Sequence, residues 1–421
     1  MKILVVGSGG REHAIIWKIA QSKKVTKIYC APGNGGISEL AECVDINVMD
    51  KEKMVAFAKE NAIDLVMVAP DDPLVDGMVD AMENASIRAF GPRANAAIIE
   101  GSKAFSKNLM KKYNIPTAGY EVFTNSAEAI EYVKKGTFPT VIKADGLALG
   151  KGVIIAQNLE EAENAIHDMI DDGKFGKSGS RVVIEEFLTG PEVSVLAFTD
   201  GKTVKPMVSA QDHKRAYDND EGLNTGGMGT FSPSRLYDSA KEEECMKNIF
   251  IPTIEAMQSE GRPFKGVLYF GLMMTSNGVK VIEYNCRFGD PETQVVLPRL
   301  ETDLVDIMEA VIDERLDEID IKWADNAAVC VVMASGGYPV SYQKGYEING
   351  LEDVKSDDLI VFHAGTAIKN GKTVTNAGRV LGVTAVAPNL DMAIEKSYKA
   401  VEKISFKDAH YRKDIGIKKY N

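Results

Sequence analysis

The stretch Lys2-Ile3-Leu4-Val5-Val6, followed by Gly7-Ser8-Gly9-Gly10-Arg11-Glu12-His13 and then Ala14-Ile15-Ile16-Trp17-Lys18-Ile19, decides how the chain begins to fold. The first five residues are apolar and partly β-branched, which predicts a buried strand. The glycines stop it, and Ala14 to Ile19 carry a helix-like apolar face. Further strands are predicted at Lys27–Cys30 and Ile63–Ala69, with a helix at Lys51–Glu60 between them. Alternation of strand and helix predicts an α/β domain with a doubly wound parallel sheet over residues 1–101.

Beyond it the pattern changes. A basic amphipathic helix starts at Ser102 and is stopped by Pro116, two residues after Asn114. From Thr117 to Leu188 short strands (Val141–Ala144, Gly152–Ala156, Val182–Phe187) alternate with an acidic helix around Glu160–Asp171, as in a small α+β lobe. Residues 189–323 hold longer strands (Val193–Thr199, Val267–Met274, Lys280–Tyr284) and polar glycine-rich loops. From Ala327 onward, strands followed by a helix at Met392–Ile404 predict a small C-terminal α/β module. The expected organisation is thus α/β and α+β multidomain, with units at 1–101, 102–323 and 324–421. No internal repeat, heptad array or low-complexity tract is present.

The 421 residues carry a net charge of −12, with 45% hydrophobic and 26% charged residues, so disorder is excluded. The acidic balance lacks the basic footprint of a nucleic-acid binder. An anionic substrate must therefore be held by local backbone N–H groups and a few cations. Five cysteines (30, 43, 245, 286, 330) are scattered with no C-x-x-C spacing, which suggests neither a disulfide framework nor a zinc knuckle. The first apolar run is shorter than a signal peptide needs, and no stretch approaches ~18 apolar residues. A soluble cytoplasmic protein with no membrane partner is expected.

Four constellations carry chemistry. Gly7 to Glu12 can bring backbone N–H groups and Arg11 to a phosphate monoester at a helix N-terminus, or be a structural turn. A dinucleotide site is disfavoured because the sixth position is Glu12 and no acid follows the second strand. Val141 to Val153 (VIKADGLALGKGV) is a strand, a glycine-punctuated loop and a strand. Such a loop can close over triphosphate oxygens with Lys143 and Lys151 offsetting charge, or be a flexible hairpin with solvated lysines. Glu185-Glu186 at a strand end, ahead of Gly190-Pro191-Glu192, can accept hydrogen bonds from a purine nucleoside, or form a solvated acidic edge. In Val281 to Arg287, the alternation of a strand puts Glu283, Asn285 and Arg287 on one face, with Val281, Ile282 and Tyr284 as core. Two hard oxygen ligands and a guanidinium suit a divalent metal with phosphates, or a surface ion-pair row. Polar loops at 211–215 and 224–229 flank these. His213, His13 and His363 read as solvated or structural side chains ahead of a general base.

Together GSGGREHA (7–14), IEGSKAFSK (99–107), IKADGLALGKGV (142–153), IEEFLTGPEVS (184–194), QDHKRAYDNDEGLNTGGMG (211–229) and YNCRFGDPETQ (284–294) resemble the phosphoribosylamine–glycine ligases of the ATP-grasp superfamily, over essentially the whole chain. The resemblance implies an N-terminal α/β domain, two lobes gripping ATP with 117–188 as a mobile lid, and a C-terminal domain closing the site. It implies that 5-phosphoribosylamine, glycine and ATP give glycinamide ribonucleotide, ADP and phosphate, through a glycyl phosphate, in purine synthesis. By position, Lys103, Lys143, Gly150 and Lys151 are implied at the ATP phosphates, with Glu185, Glu186, Leu188 and Glu192 around adenine and ribose. Glu283 and Asn285 are implied as ligands of Mg²⁺ or Mn²⁺. Arg287 is a phosphoryl or carboxylate clamp, catalytic with Lys143 and Asp212. Gly9, Gly10 and Arg11 hold the phosphoribosylamine phosphate, Asp71 its ribose, and Asp212, Gly226 and Gly227 border the amino-acid pocket. Asp71 is one methylene shorter than the glutamate of the family's Gly-Pro-Glu turn. Val267–Met274 lacks the further acidic metal ligand that many ATP-grasp enzymes have. Small-molecule partners and a monomer or weak dimer are expected. Competing readings are another ATP-grasp ligase or carboxylase, and a non-enzymatic nucleotide-binding regulator.

Overall fold

The structure, a computed structural model, describes residues 1–147, 152–174, 176–354 and 356–417. Gly150 and Lys151 lie outside the described residues. The first sheet is fully parallel, in the order 42–43, 27–32, 2–7, 65–68, 89–90, with Val6 opposite both Ala31 and Val68. Successive side chains of its central strand serve different cores. Ile3 and Val5 pack with Ile15, Ile16 and Ile19, and Leu4 and Val6 pack with Met54, Met78 and Val79. This period of two is what a strand covered on both faces requires.

Ser102 caps the next helix, Lys103–Lys112, its hydroxyl accepting from Phe105 N at 3.1 Å. A four-stranded antiparallel sheet follows, in the order 120–123, 182–186, 140–144, 153–156, with the helices Ser126–Lys134 and Leu159–Ile166 closing its core. Facing it is a second antiparallel sheet, 204–206, 192–200, 265–275, 278–285. The expected two lobes are therefore present, each a sheet with its own core.

The third sheet departs from the expected division at 323/324. Its order is 211–212, 229–232, 327–334, 379–387, 359–363, so two of its five strands come from well before residue 324. Gly229 pairs with Val331 and Ser232 with Ala328. The loop bearing Asp212, Gly226 and Gly227 is thereby anchored to the C-terminal module. The helix Leu390–Val401, capped by Asn389, covers this sheet.

Candidate active site

A cavity of about 910 Å³ opens between the two antiparallel lobes, the first sheet and the C-terminal module. It gathers Arg11, Asp71, Lys103, Lys143, Glu185, Glu186, Leu188, Glu192, Asp212, Gly226, Glu283, Asn285 and Arg287, which are spread over more than 270 positions of sequence. Gly9, Gly10 and Gly227 do not line it, although Gly9 adjoins Asp290 and Gly227 adjoins Asp212, which do.

Strand Gly278–Asn285 supplies the face that sequence alternation predicted, with one correction. Glu283 pairs with Gly271 but Val281 pairs with Leu272, so Ile282 is an extra residue, a β-bulge. Val281 is buried, whereas Ile282 lines the cavity with Glu283 and Asn285 and is not core. Arg287 lies past the strand end. Its guanidinium donates to Glu100 Oε1 at 3.1 Å and stands 3.6 Å from Asp71 Oδ2, while its buried Nε has no hydrogen-bond partner. Burial pushes the Glu100 carboxyl up, with Arg287 opposing it; Asp71, though burial raises it, is held below the usual range by Arg287 and Arg11.

The opposite wall is cationic. Lys143 Nζ lies 2.9 Å from Glu185 Oε1, and Lys107 Nζ lies 2.9 Å from Glu185 Oε2. Glu185 is thus engaged by two lysines rather than turned to a nucleoside. Its neighbour Glu186 is exposed and accepts from Gly119 N at 3.2 Å. Burial lowers Lys107 to about 8 despite Glu185, and burial also lowers Lys103, whose Nζ donates to Gly146 O at 2.8 Å.

Across the cleft Lys214 Nζ lies 2.6 Å from Glu192 Oε2 and 3.9 Å from Glu283 Oε1. Burial raises Glu283, but Lys214, Lys143, Lys103 and Arg287 outweigh it and keep the carboxyl below its ordinary value. Asp212 behaves oppositely: burial and the neighbouring Glu292 push it well above the usual carboxylate range, against Lys214 and Arg379. A Cβ on Gly227, where φ is +114°, would stand 2.7 Å from Asp212 Oδ1, so only glycine lets the loop pass there.

At the first helix, Glu12 accounts for its own position. Its Oε2 accepts from Gly9 N at 2.5 Å, the return half of a capping box, and takes up one N–H of the expected phosphate nest. Asp290 Oδ2 accepts from Arg11 N at 3.3 Å, and Arg11 Nε lies 2.6 Å from Glu12 Oε1. The anionic ligand of Gly9 in this structure is a side chain. Arg379, from the C-terminal module, adds a second cation here: its NH1 donates to Gly226 O at 2.7 Å and Asp290 O at 2.8 Å.

Both site-proximal histidines are structural. His213 is half-buried and lowered to about 4, mainly by loss of solvation; its Nδ1 lies 3.2 Å from Gly229 O and its Nε2 accepts from Gly416 N at 3.3 Å. His13, lowered by burial to about 3, accepts from His363 N at 2.8 Å and so joins the first helix to the C-terminal sheet.

Lys107, Glu100, Lys214, Glu292 and Arg379 were absent from the sequence-derived site. Lys107 and Glu100 are within the quoted IEGSKAFSK motif; Lys107 follows Lys103 by four residues on one helix, a spacing that could flag it, whereas Glu100 belongs to the preceding helix, Ala94–Gly101. Arg379 had no local signal. Among the described residues no group of three carboxylate, histidine or cysteine side chains gathers to hold a metal. The donor set is one carboxylate and one amide, Glu283 and Asn285, which fits a hard divalent ion that arrives with phosphate oxygens completing its shell.

Two antiparallel lobes closing on a lysine-walled cleft, with an acid, an amide and an arginine on the facing strand, define an ATP-grasp enzyme. The chain matches the models of the phosphoribosylglycinamide synthetase N domain at residues 1–100, its ATP-grasp (A) domain at 101–293 and its C domain at 328–418. It is 53% identical over 418 residues to the phosphoribosylamine–glycine ligase of Halalkalibacterium halodurans, covering 99% of this chain and 97% of that one. The crystal structure of the Thermotoga maritima phosphoribosylamine–glycine ligase superposes with a TM-score of 0.87 at 34% identity, covering 99% of this chain and 100% of that one. The biotin carboxylase domain of Hydrogenobacter thermophilus 2-oxoglutarate carboxylase, solved with MgADP and bicarbonate, superposes with a TM-score of 0.77 over 97% of this chain and 91% of its own; at 16% identity it shares the fold alone. The chain belongs to the phosphoribosylglycinamide synthetase family, and its activity is that of a phosphoribosylamine–glycine ligase, which forms glycinamide ribonucleotide in purine biosynthesis.

Proposed function

We propose that the cleft performs this ligation through a glycyl phosphate, with ATP as phosphoryl donor. The observation that carries the reading is the convergence of Lys103, Lys143, Glu283, Asn285 and Arg287 on one cavity. Water does not condense a carboxylate with an amine at neutral pH, so one glycine carboxylate oxygen attacks the γ-phosphorus and ADP departs. The amine of 5-phosphoribosylamine then attacks the acyl carbon, the C–O bond to phosphate breaks, and the amine loses one proton. Phosphoryl transfer of this kind rests on positioning and charge neutralisation rather than on a side-chain nucleophile.

In this reading Lys103 and Lys143 bind the triphosphate, with Glu185 spacing Lys143 from Lys107. Glu186, Leu188 and Glu192 flank the nucleoside. Arg287, oriented by Glu100 and Asp71, clamps the glycine carboxylate with its unpartnered Nε. Asp212, whose carboxyl is pushed up by burial, takes the amine proton, and Gly226 and Gly227 leave room beside it. Arg11, aided by Arg379, offers cations to the phosphoribosylamine phosphate beside Gly9 and Gly10, and Asp71 faces its ribose. Glu283 and Asn285 would hold Mg²⁺ or Mn²⁺, which supplies charge neutralisation at the phosphates. The expected lid lobe spans about 117–188. No described helix is long and apolar enough to cross a membrane. The acidic composition and five free thiols support a cytoplasmic setting with small-molecule partners and no nucleic acid.

The test is ADP release with phosphoribosylamine generated in place. Release that requires glycine supports the reading, and release that requires bicarbonate instead overturns it.

A further inference from the structure

We propose that the segment His410–Gly416 is a positioning strap for the loop 212–227, and that Arg412 at its centre sets the amino-acid side of the cleft without touching substrate. Arg412 is far from every motif that marks the site, yet it lines the cavity with Asp220 and Asp414. It is almost wholly buried. A guanidinium has five N–H donors, and here each has a protein acceptor. Nε and NH2 donate to the two carboxylate oxygens of Asp414 at 2.7 Å, NH1 and NH2 donate to Asp220 Oδ1 at 3.0 Å, and NH1 donates to Arg215 O at 3.1 Å. No donor remains for a ligand, so the residue acts through the loop.

The neighbouring bonds run rung by rung along the same loop. Lys413 N donates to Asp218 Oδ1 at 2.7 Å, Asn219 N to Asp414 Oδ2 at 2.9 Å, and Gly416 N to His213 Nε2 at 3.3 Å. The loop needs such support. Asn219 and Asp220 are consecutive non-glycine residues at φ 60° and 59°, a left-handed conformation that side chains disfavour. The same loop presents Lys214 to Glu192 and Glu283, and it leads from Asp212 to Gly226 and Gly227.

The inference rests on the placing of Asp212, Gly226 and Gly227 at the amino-acid pocket, and the experiment separates the two. In the full chain, Arg412→Met should speed amide hydrogen exchange in 213–228 by about tenfold or more, leaving the first sheet unchanged. It should raise the glycine KM about tenfold and leave ATP affinity within about twofold. Arg412→Lys, which keeps the charge but not the fork, should restore part of both. If Arg412→Met does not fold, Asp220→Asn, which keeps an acceptor oxygen for Arg412 but removes the negative charge at an exposed position, should move both readouts in the same direction by less. Unchanged exchange overturns the strap. Faster exchange with an unaltered glycine KM overturns the amino-acid assignment of the loop, and equal losses for glycine and ATP overturn Arg412 as a device for one side of the cleft.

Discussion

Lys143 Nζ lies 2.9 Å from Glu185 Oε1 in a pair almost wholly shielded from water, and the second oxygen of that carboxylate is held at 2.9 Å by Lys107. One buried anion thus spaces two ammonium groups on the wall that receives the triphosphate. The cluster carries a net positive charge, and the phosphate oxygens of a nucleotide are its natural complement.

Glu185→Gln leaves the two lysines facing each other without a counter-ion. Breaking a buried pair in this way costs about 3 kcal/mol. The nucleotide-free variant should lose that much in urea denaturation, and bound ATP should restore more stability to it than to the parent. An equal deficit with and without nucleotide would place the lysines away from the phosphates.

Arg11→Ala should weaken phosphoribosylamine and leave ATP nearly untouched. Charge-assisted hydrogen bonds are worth about 1.5–3 kcal/mol, so a rise in KM of roughly tenfold to a hundredfold is expected. Glu12 still caps Gly9 in the variant, which keeps the helix start intact. Steady-state kinetics with each substrate varied in turn decides it: equal losses for both substrates would mean that Arg11 braces the domain rather than binding phosphate.

What could be read from sequence was whatever repeats locally. Strand-glycine-helix at the start, the small lobe of 117–188 and the placing of Glu283 and Asn285 on one strand face follow from periods of two and 3.6 within short windows, while Arg287 lies past the end of that strand. The bulge at Ile282 was hidden because its cause lies in the partner strand, where Gly271 and Leu272 change register. Glu12 departs from the dinucleotide motif in sequence, and its use, accepting from Gly9 N, is visible only with the helix formed. Arg379 and the strand 229–232 reach their places through pairings across roughly a hundred residues or more, and the strand 211–212 joins the same sheet only by way of 229–232, which no local period encodes. The same distance separates Arg412 from the loop it supports.

His213 and His13 give the protein an acid-sensitive stability. Burial lowers them to about 4 and about 3, below the ordinary value near 6.5 of an unfolded histidine. Between those values the unfolded chain binds a proton that the folded chain does not, so their stabilising effect is complete above about pH 6.5 and is lost as pH falls toward 4. Each contributes a slope of roughly 1.4 kcal/mol per pH unit there. His213→Gln, which keeps a donor and an acceptor, should remove one proton's worth of slope between pH 6.5 and 4. Urea denaturation across that range measures it, and an unaltered slope would show that His213 is not held neutral.

The last prediction concerns the fate of one oxygen. If glycine attacks the γ-phosphorus, the attacking carboxylate oxygen becomes the bridge of an acyl phosphate. When the amine displaces phosphate, the carbon–oxygen bond breaks and that oxygen leaves on phosphorus, while the other stays as the amide carbonyl. Lys103 and Lys143, gathered in one cavity with Glu283, Asn285 and Arg287, form a cationic and metal-binding setting for this transfer at the end of the triphosphate. An adenylating ligase would instead join glycine to the α-phosphorus and release pyrophosphate and AMP. With glycine carrying ¹⁸O in both carboxylate positions, one label per turnover should appear in inorganic phosphate and one in the amide of the product, with ADP as the nucleotide released. Phosphate can be read by the isotope shift of its ³¹P resonance. Label in AMP, or unlabelled phosphate beside singly labelled amide product, would remove the acyl phosphate from the mechanism and, with it, the roles proposed for Arg287, Glu283 and Asn285.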